Sequence, residues 1–207
     1  MAQKKNKEYM RNPEVFLSNH QINRNPMGLY VDTILSPGPS NIDLVPHPGP
    51  PVVVTIENYD RRPHGIGAKP IRAYWLPAEH DQTRTIPLGI AASYFFTADL
   101  SGCLFAAYYN AAHNLIVEHT NANGEAAHVN ALITPRLTFI SGMLVNGAIR
   151  VLTPIPWPAA LGPAPVGVIY YPPPQYAWVI GGRLADAAGG WRFRYKLSGA
   201  PAVTLVL

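Results

Sequence analysis

Residues 97–124 read TADLSGCLFAAYYNAAHNLIVEHTNANG and contain the single cysteine of the chain, Cys103. Two apolar runs, Leu104 to Tyr109 and Leu115 to His119, flank a turn-rich Asn110 to Asn114. Short runs of β-branched and aromatic residues bounded by asparagines predict two strands joined as a hairpin. Such strands are antiparallel, so the start of the first lies beside the end of the second. Cys103 and His119 then become neighbours at the ~5 Å spacing of cross-strand side chains. Glu118 alternates to the opposite face.

The same pattern recurs on both sides of this hairpin. Val52 to Glu57, Ile71 to Leu76, Ser93 to Thr97, Val129 to Thr134, Leu137 to Ser141, Met143 to Leu152 and Ala202 to Leu207 all read as strands. Trp191 to Leu197 alternates apolar and basic residues, which predicts a half-buried strand with its basic side in water. Prolines number 22 in 207 residues, and proline is excluded from helix interiors by its missing donor and its ring. They cluster at Ser36 to Ser40, Pro46 to Pro51 and Pro154 to Pro174, the last interrupted by Val166 to Tyr171. These clusters predict rigid connectors, and the third is also a candidate partner-binding rim. Asn12-Pro13-Glu14 carries the cap, first-turn proline and early acid of a short helix. Residues 1–25 are otherwise expected to be a partly flexible N-terminal segment. With no fixed repeat and no change of composition along the chain, residues 1–207 are expected to form one domain. Its predicted class is α+β, mostly β: a β-sandwich of mixed sheets with long Pro-rich loops and a few short helices.

Composition removes several functional classes. Charged residues are 14% of the chain and the net charge is +4. The only basic cluster is Lys4, Lys5, Lys7 and Arg11, with no aromatic stacking platform beside it, so no nucleic-acid partner is expected. One cysteine excludes an internal disulfide framework and multi-cysteine zinc sites. The seven histidines form no HExxH, and no metal or other cofactor is expected. Gly65-Ile66-Gly67 and Gly181-Gly182 lack a strand-loop-helix context and read as turns. There is no Gly-x-Ser-x-Gly elbow. No apolar run reaches the ~18 residues of a membrane span, and no signal-peptide core is readable at the N-terminus.

Cys103 and His119 remain. A lone cysteine is ordinarily a small buried hydrophobe. Here it follows Ser101-Gly102 at a corner between two strand-like runs. Gly102 permits close approach of a substrate carbonyl, and the backbone N–H groups of Gly102 and Cys103 are candidate oxyanion donors. His119 across the hairpin is the candidate base for the thiol. Thr97, six residues before Cys103, is the candidate for orienting the imidazole through its hydroxyl or its carbonyl, with Asp99 and Asn121 as rivals.

Leu100-Ser101-Gly102-Cys103, with Thr97 upstream and His119 after one strand, resembles the motif of the cytotoxic necrotizing factor-like glutamine deamidases. That family includes small single-domain lethal factors with the same Leu-Ser-Gly-Cys. The resemblance covers residues 97 to about 120. It implies a β-sandwich with flanking helices and a bacterial toxin or effector, a virulence protein that is secreted or translocated and acts in the host cytosol. It further implies a cofactor-free hydrolase whose partner is a target protein presenting a glutamine; known family targets range from small GTPases to a translation-initiation helicase. The Cys–His pair also fits a protease, transglutaminase or acyltransferase. The proline-rich, low-charge composition suits a non-enzymatic β-sandwich binding or coat module.

Overall fold

The computed structural model describes residues 2–22, 37–47, 53–59, 69–79, 82–98, 100, 103–110, 112–121, 167–171, 177–184, 190–197 and 203–206. Two helices lead, α1 (Ala2–Arg11) and α2 (Pro13–Asn19). Twelve strands follow: β1 (Gln21–Ile22), β2 (Gly38–His47), β3 (Val53–Asn58), β4 (Ile71–Leu76), β5 (Thr83–Leu88), β6 (Tyr94–Thr97), β7 (Cys103–Tyr109), β8 (Leu115–Asn121), β9 (Gly167–Tyr171), β10 (Ala177–Arg183), β11 (Trp191–Leu197) and β12 (Val203–Val206). They form an eight-stranded sheet in the order β1-β3-β2-β4-β6-β10-β11-β12 and a four-stranded sheet in the order β5-β8-β7-β9. The larger sheet is mixed, with parallel pairs β1–β3 and β4–β6. The fold is α+β and mostly β.

Two cores lie on opposite faces of the larger sheet. Between the sheets, Tyr74, Leu76, Phe95, Val179 and Phe193 pack on Ile86, Leu88, Phe105, Leu115 and Val117. On the other face, Ile42, Leu44, Ala73, Trp75, Phe96 and Ile180 pack on Tyr9, Phe16 and Leu17 of the helices. Central strands buried on both faces read as unbroken apolar runs, which is why β4 and β6 were legible in the sequence.

Within the N-terminal segment expected to be partly flexible, the described residues 2–22 form a packed layer. Tyr9, Phe16 and Leu17 are all buried. Asn6, also buried, donates from Nδ2 to Asp43 Oδ1 at 2.8 Å and to the Lys69 carbonyl at 3.0 Å, and accepts from Leu44 N at 2.9 Å. The expected start of a helix is present: Asn12 Oδ1 caps Val15 N at 3.1 Å, and Pro13 opens α2.

Three further expectations change. The Pro37 to Ser40 and Pro46-His47 stretches are not connectors but belong almost entirely to β2. That strand is staggered: Gly38 to Ile42 pair with β4, and Ile42 to His47 pair with β3. Pro39 and Pro46 therefore each pair with one described strand, the edge-like setting that accepts a residue without an N–H. Gly181-Gly182 is not a turn but lies inside β10, between β6 and β11. The basic side of β11 is not wholly in water, because Arg194 is buried and ion-paired with Glu14 of α2. The expected strands Val129 to Thr134, Leu137 to Ser141 and Met143 to Leu152 lie outside the described residues, as do most of the Pro-rich clusters.

Candidate active site

The hairpin of β7 and β8 is present. Its turn is closed by Asn110, whose Oδ1 accepts from Ala112 N at 3.0 Å and Asn114 N at 2.9 Å. His113 sits in that turn with φ 58° and is exposed, at the far end of the hairpin from Cys103. Strand β8 runs two residues beyond His119, so the register pairs Cys103 with Asn121 and His119 with Phe105. Cys103 and His119 are thus diagonal rather than direct neighbours, with a typical Cα spacing of roughly 7–8 Å. They share one face, because directly paired and alternate positions point the same way. That face is the interior, where Cys103, Phe105 and Val117 join the inter-sheet core. Glu118 points to the other face, opposite Ala106, and accepts from Thr120 Oγ1 at 3.2 Å.

His119 is fully buried, and neither Nδ1 nor Nε2 has a hydrogen-bond partner among the described residues. Desolvation pushes its pKa down to about 3, because an apolar surround disfavours the charged ring. The imidazole is neutral at physiological pH. Native interiors leave few buried polar atoms unpartnered, and each costs about 1–3 kcal/mol. A histidine carrying two such atoms is poorly explained by packing alone, since a hydrocarbon side chain fills the same place without that cost. Cys103 is 3% exposed. At such a site a neutral thiol beside a neutral imidazole is favoured over the separated charges of a thiolate–imidazolium pair.

Thr97 bonds His119 through neither its hydroxyl nor its carbonyl, because neither ring nitrogen has a partner among the described residues. It ends β6, is fully buried, and its Oγ1 accepts from Val179 N at 3.1 Å. The β6–β10 ladder pairs Phe96 with Ile180 and stops there, so the hydroxyl takes over the backbone donor that the departing strand abandons. Leu100 of the Leu-Ser-Gly-Cys motif is buried in the inter-sheet core. Asn121, half-buried, lies directly opposite Cys103 and two residues along β8 from His119 on the same face, but neither ring nitrogen of His119 bonds to it. Ser101, Gly102 and Asp99 lie outside the described residues, so the corner that was to supply oxyanion donors is represented by Cys103.

One residue beside the pair escaped sequence reading. Arg84 of β5 lies directly opposite His119 on the side away from Phe105. It is ion-paired with Glu79. The signal was the alternation in Thr83 to Leu88, obscured by Pro87, which an edge strand accepts. Among the described residues no group of three His, Cys, Asp or Glu is placed to hold a metal ion. No described helix is long and apolar enough to cross a membrane. Comparison with known protein families and with characterised proteins found no match.

Proposed function

We propose that this protein hydrolyses a side-chain amide of a partner protein, converting one glutamine to glutamate through a Cys103 thioester. The observation that supports the reading is the placement of the single cysteine and a buried histidine, unpartnered among the described residues, on one interior face at one end of the smaller sheet. A neutral imidazole is the form that accepts a proton. His119 takes the Cys103 proton as sulfur attacks the amide carbon, so the charges develop together rather than standing in the apolar resting state. The Cys103 and Gly102 N–H groups hold the oxyanion. The imidazolium then protonates departing ammonia, and water activated by the same ring hydrolyses the thioester. On this reading the protein is a bacterial toxin or effector delivered to the host cytosol.

The burial of both residues favours a second reading, a non-enzymatic β-sandwich binding module in which Cys103 and His119 fill the core. One experiment separates the two: incubation of the protein with host-cell lysate, followed by a mass-spectrometric search for glutamine-to-glutamate changes against a Cys103→Ser control. The deamidase reading requires a change at one glutamine that the control lacks. Backbone cleavage in its place identifies a protease, and amine incorporation a transglutaminase. No Cys103-dependent product leaves the binding module.

A further inference from the structure

Three positions of β5 face the interior: Arg84, Ile86 and Leu88, opposite His119, Val117 and Leu115. Ile86 and Leu88 are buried in the inter-sheet core, whereas the Arg84 side chain is 42% exposed. An arginine at an inward position requires water or a counter-ion for its guanidinium. Glu79 is that counter-ion, and it lies in the segment that carries the chain from β4 in the larger sheet to β5 in the smaller. The ion pair therefore stands at the rim where the two sheets part. No described strand pairs with the outer side of β5. Immediately inward is His119, fully buried with both ring nitrogens unpartnered among the described residues, and one register step beyond it is Cys103.

We infer that the Glu79–Arg84 pair guards a carboxylate-binding site, in which an acidic side chain neighbouring the target glutamine displaces Glu79 from Arg84 and directs the amide toward His119 and Cys103. The inference deepens the deamidase reading and rests on it for the identity of the ligand. The guanidinium fork matches a carboxylate in a bidentate manner, so a ligand acid exchanges with Glu79 like for like. The exchange takes place at a rim where the Arg84 and Glu79 side chains are 42% and 41% exposed, so an incoming acid keeps part of its hydration until it meets the guanidinium.

Alkylation of Cys103 by two reagents of the same size tests the site. Iodoacetate carries a carboxylate and iodoacetamide a primary amide. With either, a sulfur–carbon bond forms, the carbon–iodine bond breaks, iodide leaves and the thiol proton passes through His119 to solvent. The expected iodoacetate-to-iodoacetamide rate ratio at Cys103 is about tenfold above that of free cysteine in the same buffer, as expected for a fixed neighbouring cation. Arg84→Gln returns the ratio to the free-cysteine value. Glu79→Gln raises the ratio further, because Arg84 loses its resident partner. Arg72→Gln, an exposed cation of β4, leaves it unchanged. A wild-type ratio equal to that of free cysteine, a ratio indifferent to Arg84→Gln, or alkylation by either reagent only at the rate of global unfolding overturns the inference. A carboxylate preference without any Cys103-dependent glutamate in the lysate keeps the site and sinks the deamidase; deamidation without the preference does the reverse.

Discussion

On the deamidase reading, His119 carries every proton transfer in one ring. Its pKa of about 3 lies well below the ~6.5 of an unfolded histidine. Between those values the unfolded chain binds a proton that the folded chain refuses, so stability falls as pH is lowered through that window. The expected slope is roughly 1 kcal/mol per pH unit once the unfolded histidine is protonated. His119→Leu should remove that acid sensitivity. It should also raise stability near neutral pH by about 1–3 kcal/mol, because two nitrogens unpartnered among the described residues are gone, while abolishing the deamidation proposed above. Urea melts from pH 4 to 8 check both statements, and a variant as acid-sensitive as the wild type refutes the burial argument. In the wild type, the ring ¹⁵N shifts of His119 should stay constant from pH 5 to 8, because the ring is neutral throughout. A His119 that titrates within that range shows the ring to be hydrated.

Strand ends and strand crossings decide the properties of the elements. Thr97 stands where β6 leaves β10, and its hydroxyl accepts the buried Val179 N–H. Thr97→Val preserves the shape and orphans that donor, so it should cost about 1–2 kcal/mol of stability, whereas Thr97→Ser should cost little. An imidazole-orienting hydroxyl predicts the opposite, a loss of activity at unchanged stability, so chemical denaturation and turnover measured together separate the roles. Gly181 makes a parallel case in β10. A Cβ there meets the Phe193 ring at 3.0 Å and Phe95 Cβ at 3.1 Å, where the Phe95, Phe105 and Phe193 rings converge. Gly181→Ala should destabilise by about 1–3 kcal/mol through overpacking. A thermal midpoint matching the wild type shows that the rings shift at no cost. Gly182, where an added methyl group meets nothing within 4 Å, is the control.

For the whole molecule, the helical layer closes a core rather than decorating it. The outer face of the larger sheet presents Ile42, Leu44, Trp75, Phe96 and Ile180, covered by Tyr9, Phe16 and Leu17. Deleting residues 2–20 exposes that face as one apolar patch, and such patches drive association. The truncated chain should bind a hydrophobic dye and sediment as aggregates. If it stays monomeric with the melting temperature of the full chain, the helices are dispensable to the fold. The Glu14–Arg194 pair joins α2 to β11 across the same layer, so an N-terminal segment that looks solvated in the sequence is tied to a strand near the C-terminus.

Local pattern sufficed where burial repeats along the strand. The hairpin of β7 and β8, strands β4 and β6, and the start of α2 follow from β-branched and aromatic runs and from a capping asparagine, because each is specified by residues adjacent in the chain. It also placed Cys103 and His119 on facing strands with Glu118 turned away. Pairing partners decided the rest. Pro39 and Pro46 enter β2 because each half of that strand is paired on one side, and Gly181 enters β10 because rings from β6, β7 and β11 meet above it. The diagonal offset of Cys103 from His119 depends on where β8 ends, two residues later than the apolar run suggests. Arg84 reaches His119 only through the non-consecutive order β5-β8-β7, and the low pKa of the ring comes from two sheets excluding water around it. Both depend on contacts between segments distant in sequence, which local periodicity does not encode.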